Sequence, residues 1–307
     1  MFFIIFRIIN HYRHKDGHEV FTESTGEPIL DEQGRLIKWR GLDRDITCQK
    51  EAEEAIRQTQ VKLAVARNEM KIARQIQESL LPSSPLHLPE VHVVGYCLPA
   101  AQVGGDYFDF FHSEDGFDVV IADVSGHSVG PALFMVEARS ALRTQTHSKI
   151  SPAEILSILN KSLYEDLNHA DHFITMFYVR YDRENRRLNY ANAGHVSPLL
   201  IHRGESACSK LDADGLVLGV KQGVSFEEKR CSLEKGDMVF LYTDGITEVE
   251  NKEGELFGTE RLCDLLTRHA LVPPQVLIDV VIKEMQDFCQ SKSFNDDVTM
   301  VILKVRE

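Results

Sequence analysis

The chain has 307 residues, 43% of them apolar, which is enough for one large domain or two modest ones with a sizeable core. Its 34 basic and 47 acidic side chains leave a net charge of −13, which excludes the basic footprint of a nucleic-acid-binding protein. The excess is local: residues 1–82 carry 13 basic and 13 acidic side chains, residues 83–307 carry 21 and 34, so a phosphorylated substrate handled by the acidic part needs cations in its site.

Six cysteines (Cys48, Cys97, Cys208, Cys231, Cys263, Cys289) are scattered without a C-x-x-C pair or zinc-finger spacing, and read as reduced thiols of a cytoplasmic protein. The opening stretch MFFIIFRII is about half the length needed to cross a bilayer, carries Arg7 and lacks a cleavage pattern. It reads as a buried strand, and no membrane span is expected elsewhere.

Residues 1–42 predict two β-hairpins, with turns at KDG (15–17) and at 31–34. From 43 to 81 there is neither proline nor glycine, which predicts one long helix. Along it Ile56, Thr59, Leu63, Ala66, Met70, Ala73, Gln77 and Leu80 alternate steps of three and four. This is a heptad seam with polar breaks at Thr59 and Gln77, predicting a weak parallel coiled coil and hence a homodimer, with a solvated connector helix as the alternative. LPSSPLHLP (81–89) closes the helix by proline and serine punctuation.

Beyond that boundary, strands are predicted over 91–98, 107–111, 117–122, 173–181, 187–191, 197–202, 226–233, 237–242 and 298–305. Helices are predicted over 131–146, 152–167, 259–269 and 274–290, three of them with proline in the first turn. Strands in groups and helices in pairs argue for an α+β fold of antiparallel sheets with helices outside.

Four acidic motifs fall at strand ends: GGDYFD (104–109), IADVSGHSVG (121–130), LYTDGITE (241–248) and NDDVTMVIL (295–303). Their aspartates, Asp106, Asp109, Asp123, Asp244, Asp296 and Asp297, lie beside a glycine or at the edge of an apolar run. Taken singly, each is ordinary turn chemistry. Together they could share one cleft only if cations neutralise them, and oxygen donors without a Cys/His cluster suit Mg²⁺ or Mn²⁺. Two such ions bridging a water would generate a hydroxide nucleophile.

With NAGH (192–195), these motifs in this order resemble the PPM-type metal-dependent serine/threonine phosphatases, and within them the bacterial SpoIIE/RsbU-like branch. The likeness spans residues 72–305 and includes IARQIQESLLPSSP (72–85). Residues 1–42, with their KDG turn, DEQGR turn and closing GLDRDIT, resemble the last third to half of a PAS sensor domain; too short to enclose a ligand, this piece is expected to hold no cofactor. The resemblance implies an α-β-β-α sandwich of two antiparallel sheets flanked by helices, preceded by a β-hairpin segment (1–42) and a linker helix (43–82), with the phosphatase domain at 83–307.

The resemblance further implies two Mn²⁺ or Mg²⁺ ions, with Asp106 as an early ligand, Asp123 bridging both ions, the Val124 carbonyl completing a coordination sphere, and Asp244 and Asp296 as later ligands. Asp109 and Asp297 would orient metal-bound waters from behind the ligands. A hydroxide held by both ions would attack phosphorus in line, so no protein nucleophile is required, and no cysteine here begins a C-x5-R pattern. The implied substrate is a phosphoserine or phosphothreonine of a cytoplasmic signalling protein such as an anti-sigma-factor antagonist, with neither nucleic acid nor membrane as partner. His127 is a candidate general acid for the leaving oxygen, with a turn histidine as the alternative; Asn192 and His195 are expected to play structural roles. Ser128 departs from the family, many members of which carry glycine there. The competing reading is a non-catalytic interaction or sensor module that kept the fold and lost the metals.

Overall fold

Gly17 and Gly34 adopt φ of +98° and +80°, values that cost a side-chain-bearing residue dearly, and each reverses the chain in one of the two expected turns. The hairpins join β1 (Phe6–Arg13), β2 (Glu19–Leu30) and β3 (Leu36–Asp45) into an antiparallel sheet in that order. The computed structural model describes residues 6–113, 116–126, 128–145 and 150–306. The chain divides into two compact units, Met1–Glu69 and Met70–Glu307. Residues 1–5 of the opening apolar stretch lie outside the described residues. The remainder is a strand but not the buried one expected: Ile8 and Ile9 are 50% and 51% exposed, because β1 is the edge of a small sheet.

Helix α1 (Thr47–Leu80) begins four residues later than expected. β2 is twelve residues long and keeps pairing with β3 as far as Thr22 with Asp45, after which the Asp45 carboxylate accepts the Thr47 amide. Lack of glycine and proline permits strand as readily as helix, and the waiting partner strand decides.

The second unit opens with β4 (Leu86–His87), β5 (Val91–Leu98), β6 (Tyr107–Ser113) and β7 (Gly116–Val124). Then come α2 (Val129–Arg143) and α3 (Pro152–His169), the latter started by a Ser151–Glu154 capping box and Pro152. β8 (Ile174–Asp182), β9 (Arg187–Ala193), β10 (Leu199–Ile201), β11 (Cys208–Lys210), β12 (Glu228–Ser232) and β13 (Met238–Tyr242) follow. The chain ends in α4 (Asp244–Thr247), α5 (Gly258–Arg268), α6 (Pro274–Cys289) and β14 (Val298–Val305). β4, β11 and α4 were not expected; at two to four residues each they are too short to show a period.

These elements make the α-β-β-α sandwich. One antiparallel sheet runs β11-β10-β13-β14-β5-β4 and the other β12-β9-β8-β7-β6. Between them lies a core that includes Val93, Phe108, Val119, Ile121, Val239 and Val301. α2 and α3 cover the outer face of the five-stranded sheet through Met135, Leu142, Leu156 and Leu163, and α5 and α6 cover the other through Leu262, Leu266, Ile278 and Met285. Because both faces of each sheet are covered, the central strands β7, β13 and β14 are apolar and buried almost without alternation. Among the described residues no helix is long and apolar enough to cross a membrane.

One expectation fails outright. Cys208 on β11 and Cys263 on α5 are bonded as a disulfide, with Cα atoms 5.9 Å apart and 55 residues between them in sequence, so not all six cysteines are free thiols. The pairing arises from α5 packing beside the β10–β11 end of the sheet, which sequence spacing does not reveal.

The two sheets approach closely where Gly95 on β5 faces Phe108 on β6: a β-carbon at Gly95 would lie 2.1 Å from the Phe108 ring. Gly95→Ala is therefore expected to push a buried ring off its site and lower stability by about 1–3 kcal/mol, measurable by urea unfolding.

Candidate functional site

The turns carrying the acidic motifs all open at one end of the sandwich. Asp106 immediately precedes β6 and Asp123 lies near the end of β7, which pairs antiparallel with it. Asp244 follows β13, and Asp296 and Asp297 precede β14, which pairs antiparallel with β13. Antiparallel pairing sets each pair of motifs at one end of its own sheet, and the packing of the two sheets brings together residues more than a hundred positions apart.

Asp106, Asp123, Asp244, Asp296 and Asp297 are close enough to act on one another electrostatically. Burial first, and the Asp123 charge second, push the Asp106 carboxyl well above the usual range. Asp123 is pushed up to about 8, by burial and then by Asp244, Asp296 and Asp297. Asp244 is raised by burial and by Asp296. These are the shifts of carboxylates crowded together without countercharge among the described residues.

Local hydrogen bonds hold the group in place. The Thr243 hydroxyl donates to Asp106 Oδ2 at 2.9 Å and accepts the Thr299 amide at 3.1 Å, fastening Asp106 across the β13–β14 pair. Asp297 accepts the amides of Ala100 (2.8 Å) and Gly105 (2.9 Å), and its own amide donates to Asp296 at 2.8 Å. Space is as tight as charge. A β-carbon on Gly104 would lie 1.9 Å from Asp297 Oδ2, one on Gly245 1.9 Å from the Asp297 carbonyl, and one on Gly105 2.6 Å from the Val124 carbonyl. Beside Asp296 opens a cavity of about 430 Å³, lined also by Glu248, Glu250, Ser291 and Ser293.

Asp109 does not join this group, contrary to the role expected for it behind the ligands. Its buried carboxylate accepts hydrogen bonds from Arg143 (2.9 and 3.1 Å), the Tyr107 hydroxyl (2.9 Å) and the Phe110 amide (2.8 Å), and so ties β6 to α2. Strand alternation explains it: Asp109 shares its face with Tyr107 and Phe111, which pack among the α2 and α3 side chains. His127 lies outside the described residues. Its neighbour Ser128 has φ +147° and ψ −156°, a region natural to glycine, so the serine found here is held against its own preference.

Two residues with structural consequence near the centre were misread or underweighted in sequence. Gln77, expected as a polar break in a coiled-coil seam, is buried and grips the Gly104 peptide from both sides, donating to its carbonyl at 2.7 Å and accepting its amide at 3.1 Å. The second is Thr243, hidden in LYTDGITE between more conspicuous residues. Asn192 and His195 behave structurally: the Asn192 side chain accepts the His195 amide (2.7 Å) and donates to its carbonyl (3.0 Å). The His195 ring bridges the Thr175 hydroxyl (2.7 Å) and the Tyr242 carbonyl (3.1 Å), the latter two residues ahead of Asp244.

Two outcomes follow from these contacts. Gln77→Leu leaves the Gly104 amide and carbonyl buried without partners and is expected to cost about 2 kcal/mol in urea unfolding. Burial holds the His195 imidazole neutral, its pKa depressed from 6.5 to about 4. Between those values the unfolded chain takes up a proton that the folded one refuses, so stability falls as pH drops through the window. The stability advantage of wild type over His195→Gln should therefore shrink by about 3 kcal/mol from pH 7 to pH 4, measured by urea unfolding at each pH.

Comparison with known proteins places this geometry in a family. Residues 113–306 match the family model described as stage II sporulation protein E (SpoIIE). The chain is 30% identical over 241 residues to phosphoserine phosphatase RsbU of Bacillus subtilis (strain 168), covering 78% of this chain and 70% of that protein. Among solved structures, the SiaA PP2C domain of Pseudomonas aeruginosa superposes with a TM-score of 0.70 at 24% identity, over 80% of this chain and 98% of the other. RsbX, crystallised in complex with magnesium, shares the fold with a TM-score of 0.53 at 14% identity, over 72% of this chain and 98% of that one. The chain belongs to the SpoIIE family, with the PP2C-type sandwich as its fold.

Proposed function

We propose that the acidic centre removes phosphate from a phosphoserine or phosphothreonine of a signalling protein in the cytoplasm. That the chain is a phosphoprotein phosphatase follows from its family. The observation that carries the site assignment is the convergence of five carboxylates that burden one another with charge at one end of the sandwich.

The residues present fit divalent cations. The donors are all oxygen, the crowded carboxylates lack countercharge among the described residues, and the Gly105 backbone leaves the Val124 carbonyl room that any β-carbon would take. Asp106, Asp123, the Val124 carbonyl, Asp244 and Asp296 would hold two Mn²⁺ or Mg²⁺. When bound, such ions supply positive charge for the phosphoryl oxygens and acidify water. The chain's own part is orientation. Thr243 fixes the rotamer of Asp106, Asp297 pins the loop containing Ala100 and Gly105, and Gln77 fixes the Gly104 peptide from the end of α1. Each removes a freedom that would otherwise be lost when cations and substrate bind.

The proposed substrate is a phosphorylated anti-sigma-factor antagonist or a similar protein, and the proposed division of the chain is a PAS-like β segment (1–42), a linker helix (43–82) and the phosphatase domain (83–307). Ile56 and Leu63 of α1 are 58% and 48% exposed at heptad spacing, which supports pairing with a second copy into a homodimer. With Mn²⁺ and a phosphoserine protein, the wild type is expected to release inorganic phosphate, and Asp123→Asn to do so at least about a hundredfold more slowly. Phosphate release independent of added metal, or an Asp123→Asn variant as fast as wild type, would favour the non-catalytic module with a contaminating activity.

A further inference from the structure

In the first unit, the β1–β2 turn gathers a second set of metal-ligating side chains. The sequence His14-Lys15-Asp16-Gly17-His18 places a histidine on each side of the turn and an aspartate within it. Backbone geometry does the rest. The His14 amide donates to the His18 carbonyl at 2.8 Å, the Gly17 amide to the His14 carbonyl at 2.9 Å, and Gly17 supplies the positive φ that closes the loop. The two imidazoles therefore stand face to face, ring centroids 4.6 Å apart and planes 25° from parallel. His14 Nδ1 and His18 Nδ1 lie 3.0 and 2.5 Å from the same oxygen, Asp16 Oδ1.

We propose that this turn binds a divalent first-row transition ion of the Ni²⁺ or Zn²⁺ class through His14, Asp16 and His18. The three ligand atoms already lie within 4.8 Å of one another. Two donors bound at about 2.1 Å each can be at most about 4.2 Å apart, so closing around an ion requires the donors to draw together and the stacked rings to turn until each ring plane contains the ion. Two imidazoles and one carboxylate are a donor set that favours such ions, whereas an all-oxygen centre favours Mg²⁺ and Mn²⁺. The side chains of His14, Asp16 and His18 are 45%, 59% and 57% exposed, leaving the remaining coordination positions to water or another ligand. Without an ion, three exposed side chains held on one point gain little from their mutual hydrogen bonds, since solvent screens them. An ion would give that convergence a stronger cause.

The difference in donors separates the two centres experimentally. Ni²⁺ is titrated calorimetrically into the full chain in a large excess of Mg²⁺, which occupies the all-oxygen centre. Wild type is expected to take up one Ni²⁺ saturably. His14→Ala/His18→Ala is expected to abolish that uptake, and Asp16→Asn to weaken it at least about tenfold, the loss of a ligand costing no less than the loss of a group behind one. His87→Ala provides the control, because His87 and His92 form another close imidazole pair, 4.2 Å between centroids, in the second unit; it should bind Ni²⁺ as wild type does. All variants should share the wild-type thermal unfolding profile in the absence of Ni²⁺, since the turn is exposed. Uptake unchanged in His14→Ala/His18→Ala, uptake lost in His87→Ala, or no saturable uptake by wild type would each overturn the proposal.

Discussion

Crowded negative charge, partly buried and without a positive partner among the described residues, is the constraint on which the catalytic unit depends. The same fold shows the ordinary solution elsewhere. Asp118, fully buried on β7, receives Arg180 at 2.7 and 2.8 Å and the Tyr178 hydroxyl at 2.5 Å; Asp109 receives Arg143. At the sheet ends the charges acting on Asp123 are those of Asp244, Asp296 and Asp297. A protein that supplies arginine to two buried aspartates and leaves this group of buried and half-buried ones to one another has kept those carboxylates available, and divalent cations are the natural complement.

Everything around that group limits its motion. The paired ends of β6–β7 and β13–β14 set the positions of Asp106, Asp123, Asp244 and Asp296. Thr243 and Asp297 then stitch the two sheets and the preceding loop together, and glycines stand where a β-carbon would strike a carboxylate or a carbonyl. Gln77 brings the last turns of α1 into the same network, through a peptide two residues from Asp106. Such rigidity is what a preorganised site requires.

Much of this was legible in sequence. Long apolar runs such as residues 298–305 gave strands at the expected bounds, and proline in the first turn marked α3 and α6. The acidic motifs stood out because their aspartates lie beside a glycine or at the edge of such a run. What escaped detection depends on partners distant in the chain. The carboxylate of Asp109 looked like the rest, and only the facing of β6 toward α2 assigns it to Arg143. Gln77 fits a heptad position, yet its partner is a peptide 27 residues on. The Cys208–Cys263 bond needs the packing of β11 and α5 to bring its ends together. Local pattern names the elements; the pairing of side chains across layers is set by tertiary packing.

The metal-binding capacity of the acidic centre can be measured without any assumption about substrate, by calorimetric titration of Mn²⁺ into the full chain and into Asp106→Asn. Saturable uptake of two Mn²⁺ per chain, weakened or lost in the variant, is the result expected if the clustered carboxylates form a cation site. Absence of saturable Mn²⁺ uptake, or identical uptake by Asp106→Asn, would contradict it.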